Sequence, residues 1–219
     1  MIIMKKLFIL ALLAMFSTVT FAQITWNAQA GINMSSLSGL DESKMKVGYQ
    51  IGVGMEYAIT DMWSVRPSLL FITKGAKSDY TIDDEGYKST YNPMYLQLPI
   101  MAAASFDLSD NMKFVAKAGP YIGFGIGGKI KDEFTYDGAT TEVKYDIFDD
   151  LVEDGDVEYK AAKRFDFGLG IGAGLEFGKI MVNLDAMFGL VKVADYYTFK
   201  DEKKSLKNMT VALSVGYKF

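Results

Sequence analysis

The chain has 219 residues, enough for one domain or one small barrel, and half of them are apolar. It contains no cysteine and no histidine, which excludes a disulfide framework, a cysteine metal site and the usual catalytic general base. The formal net charge of −4 offers no broad basic surface for nucleic acid. After residue 22 no apolar run approaches the ~20 residues that a membrane helix needs, so any membrane span must be built from strands.

The first 22 residues have the pattern of a secretory signal peptide. Lys5 and Lys6 form a positive region, an apolar stretch follows over residues 7–16, and the segment ends in small and polar residues up to Ala22. We predict cleavage after Ala22, which leaves residues 23–219 as the mature barrel domain. A membrane anchor is the alternative, but the apolar stretch is short for crossing a bilayer. The protein is therefore expected to leave the cytoplasm.

After residue 23, apolar and polar residues alternate with the period of two that β-strands have. Eight such segments occur, over residues 24–33, 47–57, 63–72, 95–104, 113–124, 165–177, 180–189 and 208–219. Each apolar face covers ~9–13 residues, the length of a tilted membrane-spanning strand, whereas strands of soluble sandwiches are nearer ~5–6 residues. Closure would remove the strand edges that lipid does not tolerate. The pattern therefore predicts an all-β, eight-stranded, antiparallel up-and-down transmembrane barrel.

The connections between these segments alternate strictly between short and long. The short connections cover residues 58–62, 105–111 and 178–179, and the long ones cover residues 35–46, 73–93, 127–164 and 192–207. Outer-membrane barrels have tight periplasmic turns and long extracellular loops. The segregation of loop length thus predicts that the long loops lie outside the cell.

Two of the long loops contain further strand-like pairs. Residues 78–82 and 87–91 flank an acidic turn, and residues 131–136 and 141–148 flank Asp137-Gly138, a strong hairpin signal. Their faces are too polar for lipid. We predict hairpins that rise above the membrane, with a ten-stranded barrel as the less favoured alternative.

The polar members of the alternating segments are mainly Gly, Ser, Asn, Gln and charged residues, which suits the interior of a membrane barrel. The alternative is a soluble fold with an apolar core, but the polar set would then have to form one coherent outer surface. Large aromatic residues cluster near the predicted periplasmic strand ends, where an aromatic girdle is expected. These are Trp26, Tyr57, Trp63, Phe106, Phe177, Tyr217 and Phe219.

An eight-stranded barrel is just wide enough for side chains to fill its interior. The charged side chains expected to project inward are Glu56, Arg66, Lys113, Lys117, Asp166, Glu176 and Asp185. Unpaired charges in this space would be costly, so we predict a paired network around Arg66 and the lysines. Inward glycines leave room for Arg66, Tyr95, Tyr121 and Met181. The barrel should therefore be filled rather than an open pore.

Several phrases resemble a known family. They are RPSLLF at 66–71 followed by KGAK at 74–77, YLQLPI at 95–100, AGPY at 118–121, FDFG at 165–168, GAGLE at 172–176 and the terminal VGYKF at 215–219. Together they resemble the PorT-type outer-membrane β-barrel family of Bacteroidota, over essentially the whole mature chain. Gln97 stands where that family often has Glu. The resemblance implies the barrel fold and recognition of the terminal strand by the barrel assembly machinery. The association of PorT itself with protein secretion is not transferred.

Two further motifs resemble functional sites. Residues 123–128 match GxGxxG, but a dinucleotide fingerprint needs a helix after the turn, and no helical pattern follows. Acidic residues cluster over 149–158, where Ca²⁺ binding is an open alternative to solvated, mutually repelling charge, although the spacing does not match an EF-hand. No catalytic, cofactor-binding or metal residue is assigned.

The sequence bears on three possible functions. The favoured one is a non-enzymatic barrel whose long loops bind an extracellular or envelope protein, or support envelope integrity. Tyrosine, a frequent contact residue at interfaces, is abundant in these loops, at positions 80, 87, 91, 136, 145, 159, 196 and 197. A small-solute channel or an accessory role in protein secretion is the alternative. An enzyme is not expected, because Asp166 and Glu176 lie ~33 Å apart along one strand.

Overall fold

The computed structural model describes residues 24–39, 43–82, 85–148, 150–152, 158–160, 162–197 and 203–219. The predicted signal peptide therefore lies outside the described residues. The described strands are β1 (Ile24–Ser38), β2 (Lys44–Ala58), β3 (Trp63–Thr73), β4 (Ala76–Ile82), β5 (Glu85–Ser109), β6 (Met112–Tyr136), β7 (Ala139–Asp146), β8 (Asp150–Val152), β9 (Glu158–Lys160), β10 (Phe165–Phe177), β11 (Ile180–Gly189), β12 (Ala194–Tyr197) and β13 (Lys203–Lys218). Among these residues there is no helix long and apolar enough to cross a membrane.

Eight of the strands close into an antiparallel ring. The order around the ring is β1, β2, β3, β5, β6, β10, β11 and β13, and β13 pairs back with β1 from Asn27↔Lys218 to Ser38↔Lys207. Each ring strand thus pairs with its sequence neighbours among the eight. The predicted up-and-down barrel is confirmed, and the ten-stranded alternative is wrong.

The side chains of the ring alternate as predicted, with apolar residues outside and polar residues inside. Ile32 and Val47 are exposed to 62 and 63%, whereas Asn33 and Gln97 are exposed to 2 and 0%. This arrangement is the reverse of that in a soluble protein. It is stable only where the outer surface meets lipid, because a contiguous apolar surface of this size is unfavourable in water.

The interior also holds apolar side chains that the alternation did not assign to it. Leu70 and Ile72 interrupt the pattern of the third segment, and both are buried. Met101, Val115 and Met187 are buried as well. The interior is therefore filled by a mixture of polar and apolar groups.

The two ends of the barrel differ as the connection lengths predicted. Residues 59–62, 110–111 and 178–179 form the short turns at one end. The predicted girdle aromatics lie at this same end, and the Phe219 amide donates to the Trp26 carbonyl at 2.9 Å. All the long connections leave the opposite end.

At that opposite end the strands continue beyond the predicted segments. β5 and β6 each have 25 residues, and they remain paired from Gly86↔Thr135 down to Ser109↔Met112. β4 pairs with the upper part of β5, and β7 pairs with the upper part of β6. The predicted hairpins thus form one four-stranded sheet, called here the extracellular sheet, built on strands shared with the barrel.

Two local features shape this sheet. Asp137 and Gly138 both have positive φ, 46° and 76°, as a two-residue type I′ turn requires, so the predicted hairpin turn is confirmed. Where the sheet leaves the barrel, Met94 pairs with Gly127 and Tyr95 with Gly125, so Ile126 is an extra residue. Such a bulge bends a strand and changes the direction of its side chains.

Candidate functional site: the barrel interior and the extracellular sheet

The charged side chains inside the barrel form separate layers, and the lowest layer faces the periplasm. Arg66 lies 2.6 Å from carboxylate oxygens of both Glu56 and Glu176. Lys218 bridges the same two carboxylates at 2.7 Å. Two cations and two anions therefore neutralise one another across β2, β3, β10 and β13. Beneath them an open periplasmic mouth of about 640 Å³ is lined in part by Lys218 and Trp63.

The middle layer contains a second ion pair and a small cavity. Lys117 lies 2.9 Å from Asp185 and donates to the side-chain oxygen of Asn183. The adjoining cavity measures about 40 Å³, which is room for ordered water but not for a solute of any size. Met101 and Met187 pack with Tyr121 above it.

The upper layer is a fully buried ion pair. The ammonium of Lys74 lies 2.8 Å from Asp166, and neither side chain is exposed. Asn208 also donates to Asp166 at 2.9 Å, and the Tyr121 hydroxyl lies 3.4 Å from it. The ring of Tyr121 faces the Lys74 ammonium at 4.6 Å. A buried carboxylate needs this density of partners.

An apolar cluster covers the extracellular end of the barrel. Its buried members are Leu37, Ala76, Val193, Ala194 and Leu206, and Tyr91 packs against them. The cluster joins the tops of β1 and β13 to the base of the extracellular sheet. The three charged layers and this apolar cluster thus occupy the described interior one after another, from the periplasmic to the extracellular end.

The predicted network is confirmed for most of its members. Glu56, Arg66, Lys117, Asp166, Glu176 and Asp185 are all paired inside the barrel. Lys113 lines the periplasmic mouth of the barrel, where it pairs with Asp107 at 3.1 Å and is half exposed, so it stands outside the buried network. Tyr95, Tyr121 and Met181 fill the interior as expected.

Two cations of the interior ion pairs were not identified from the sequence. Lys218 occupies an inward position of the last segment, and the alternation alone could have found it. Lys74 lies just beyond the third segment, within the predicted long connection 73–93, where no alternation of apolar and polar residues identifies an inward position. Gln97 is fully buried, and its amide has no hydrogen-bond partner among the described residues.

The interior carboxylates occupy separate layers. Asp166 contacts Lys74 in the upper layer, and Glu176 contacts Arg66 and Lys218 in the lowest. Both carboxylates are therefore paired with cations, and the middle layer separates Asp166 from Glu176. The GxGxxG string lies within β6, on backbone paired with β5 and β10, as the sequence argument expected.

The extracellular sheet has two chemically different faces. Cross-strand pairing places Tyr87 opposite Phe134, and it places Tyr91, Ile130 and Tyr145 in one row. We call this side the aromatic face after its aromatic and aliphatic members, among which Asp132 also lies; these members are Tyr87, Tyr91, Ile130, Phe134, Tyr136, Val143 and Tyr145. The opposite side is the charged face, with Lys77, Asp79, Lys88, Lys131, Glu133, Glu142 and Lys144.

The aromatic face is covered at Tyr91 on β5 and open along the β6–β7 hairpin. Tyr91 packs on the apolar cluster of the barrel, whereas Phe134, Tyr136 and Tyr145 are exposed to 47, 69 and 41%. The rings of Tyr87 and Phe134 pack at 5.0 Å, and Tyr87 donates to Asp132 at 3.1 Å. An aromatic surface held in fixed orientation outside the barrel is suited to bind another molecule.

Ion pairs organise the charged face. Lys131 lies 2.7 Å from Glu133 and also contacts Glu142, which Lys144 contacts in turn. Hydrogen bonds from Lys131 and Lys144 lower the pKa of Glu142, and the hydrogen bond from Lys44 lowers the pKa of Asp79. These pairs are solvated, so they orient side chains more than they stabilise the fold.

Two predictions fall partly outside what the structure describes. Of the loop tyrosines, Tyr87, Tyr91, Tyr136 and Tyr145 belong to the aromatic face, and the side chains at positions 80, 159, 196 and 197 lie outside the described part. Most of the acidic segment 149–158 lies outside it as well, so the Ca²⁺ alternative stays a prediction. Within the described residues no group of three potential metal ligands occurs.

Comparison with known proteins places this architecture in a family. The model of the outer membrane protein beta-barrel domain matches residues 18–195. Among solved structures, the chain is similar to Ail of Yersinia pestis, with 16% identity over 89% of this chain and 98% of that one and a TM-score of 0.37. It is also similar to OprG from Pseudomonas aeruginosa, with 10% identity over 90% and 96% of the two chains and a TM-score of 0.44. No curated protein matches the chain. The chain belongs to the outer membrane protein beta-barrel domain family.

Proposed function

We propose that this outer-membrane barrel is not an enzyme and that it binds an extracellular or envelope protein through the aromatic face of its extracellular sheet. The observation that carries the proposal is the open part of that face on the β6–β7 hairpin, where β6 is continuous with the barrel. Aromatic side chains supply large contact areas at little cost in side-chain entropy, and they are enriched at the centres of protein interfaces. The continuous strands hold these side chains in place before a partner arrives, which reduces the ordering cost of binding.

Partner capture from the cell surface tests this proposal. A photo-crosslinking residue replaces Phe134 on the aromatic face, and a matched one replaces Lys88 on the charged face of the neighbouring strand. We expect a crosslinked protein adduct from position 134 and none from position 88. Tyr145→Ala should weaken that adduct, while heat-modifiable gel migration confirms that the barrel is folded. The same adduct pattern from both positions would contradict the proposal.

The absence of histidine from the sequence supports a non-enzymatic role, because histidine is the commonest general acid and base. The engagement of Asp166 and Glu176 with cations supports it further. The layered interior argues against the alternative of a small-solute channel. The other alternative is an accessory role in protein secretion. It rests on the resemblance to the PorT-type family and on an origin in Bacteroidota, and both of these stay predictions.

Assembly into the membrane is the remaining part of the proposal. We propose that a signal peptide of residues 1–22 is cleaved and that the barrel assembly machinery recognises the C-terminal strand. β13 ends in alternating residues followed by Phe219, which is exposed to 69% and packs against Tyr217 at 5.8 Å. Phe219→Ala should slow insertion in a reconstituted assembly reaction, whereas Phe188→Ala, at the far end of β11, should not.

A further inference from the structure

The lipid-facing surface has a groove where β1 lies between β13 and β2. The groove follows β1, whose outward residues there are the small Ala28 and Ala30. Larger side chains form both walls: Tyr217 and Val215 on β13, and Val53 and Ile51 on β2. Cross-strand register places the wall residues directly beside the alanines, as in Tyr217–Ala28–Val53 and Val215–Ala30–Ile51.

Large side chains stand on β1 beyond both ends of the groove. The next outward residues are Trp26 below and Ile32 above, and both are more than half exposed. The groove is an open surface depression of about 540 Å³, and its lining is almost entirely apolar. Trp26 belongs to the periplasmic aromatic rim, so the groove lies in the periplasmic half of the apolar band.

A cation stands beside the groove at the membrane surface. Lys179 lies in the turn between β10 and β11 and precedes Ile180, which contributes to the groove wall. Its ammonium is 5.8 Å from the ring centroid of Tyr217, another wall residue. The side chain of Lys179 is exposed, and none of the described residues lining the groove is acidic. An anionic group at the periplasmic membrane surface would therefore lie beside the ammonium of Lys179, directly below the apolar groove.

We propose that the groove is a binding site for an anionic glycerophospholipid of the periplasmic leaflet. One acyl chain lies along Ala28 and Ala30 between the walls, and Lys179 pairs with the lipid phosphate. The apolar lining fits a hydrocarbon chain, and the charge of Lys179 complements a phosphate that no headgroup cation neutralises. This site is independent of the proposed partner binding, because it lies at the opposite end of the barrel.

Fluorescence quenching by brominated lipid tests the site. The mature protein carries Trp63→Phe, so that Trp26, at the end of the groove, is the single tryptophan. It is folded into phosphatidylcholine vesicles, and quenching is compared for dibrominated phosphatidylglycerol and dibrominated phosphatidylcholine. We expect phosphatidylglycerol to bind roughly threefold more strongly, as one solvated ion pair contributes. Lys179→Gln should abolish this preference without altering the fold.

A variant whose groove is filled by a larger side chain provides a second test of the site. Ala30→Leu should reduce quenching by both lipids, whereas Ala118→Leu, a matched exposed alanine on the opposite strand β6, should leave it unchanged. Equal quenching by the two lipids, or a preference that survives Lys179→Gln, overturns the proposal. A crosslinked dimer that Ala30→Leu abolishes would also overturn it, because the groove would then hold a second copy of the chain.

Discussion

Removing the ammonium of Lys74 should destabilise the barrel more than removing any exposed cation. Lys74 and Asp166 have no exposed side-chain surface and lie 2.8 Å apart. Lys74→Met would leave the Asp166 carboxylate buried without a cation. Breaking a buried pair from one side costs about 3–5 kcal/mol. Because Asn208 and Tyr121 still contact Asp166, we expect a loss near the lower end, about 3 kcal/mol.

The free energy of unfolding is measured by urea titration of protein folded into lipid vesicles, with linear extrapolation to water. Lys113→Met is the matched control, because Lys113 pairs with Asp107 at the solvated mouth, and its loss should cost less than ~1 kcal/mol. Adding Asp166→Asn to Lys74→Met removes the stranded charge and keeps an oxygen acceptor for Asn208. That double variant should recover most of the lost stability.

The reasoning is refuted in either of two cases. In the first, Lys74→Met costs no more than Lys113→Met. In the second, the losses of Lys74→Met and Asp166→Asn simply add in the double variant. Additive losses would mean that the two side chains act independently despite their contact.

Four further outcomes are expected. Arg66→Ala should lower the free energy of unfolding by about 2 kcal/mol, less than Lys74→Met, because Lys218 still contacts both carboxylates; an equal or larger loss would contradict this. Gly138→Val forces a branched residue to a φ of 76°, so amides of the β6–β7 hairpin should exchange faster while the barrel stays folded. Because the pKa of Glu142 is lowered, its ion pairs are complete at neutral pH and are lost as the pH falls through that pKa. A ¹³C NMR titration of the Glu142 carboxyl should therefore give a midpoint below that of an ordinary glutamate. Salt at 1 M should raise this midpoint, because it screens the ion pairs. Planar bilayers containing the protein should show no large, steady conductance, and stable large channels would disprove the sealed interior.

Strand number, strand direction and the outward apolar face follow from local pattern alone. A period of two assigns each residue to one face whatever its neighbours are, and loop lengths assign the two ends. The predicted segments stop too early at the extracellular side, because alternation of apolar residues ends with the lipid while backbone pairing continues. β5 and β6 show this most clearly, since their upper parts mix aromatic residues such as Tyr87 and Phe134 with charged and hydroxyl residues on strands that remain paired.

The closed barrel, its polar filling and its aromatic rim are therefore encoded in local patterns of residues. The pairing of the interior charges depends instead on how the strands are arranged around the ring. Arg66 contacts Glu176, which lies 110 residues further along the chain, because closure of the ring brings β3 and β10 to face each other across the interior, and no local pattern encodes that contact. Lys74 lies in the break between β3 and β4, beside Gly75 with a φ of 130°, and only the assembled barrel shows that its side chain is buried against Asp166. The groove beside Ala30 likewise exists only because β13 and β2 are brought to either side of β1.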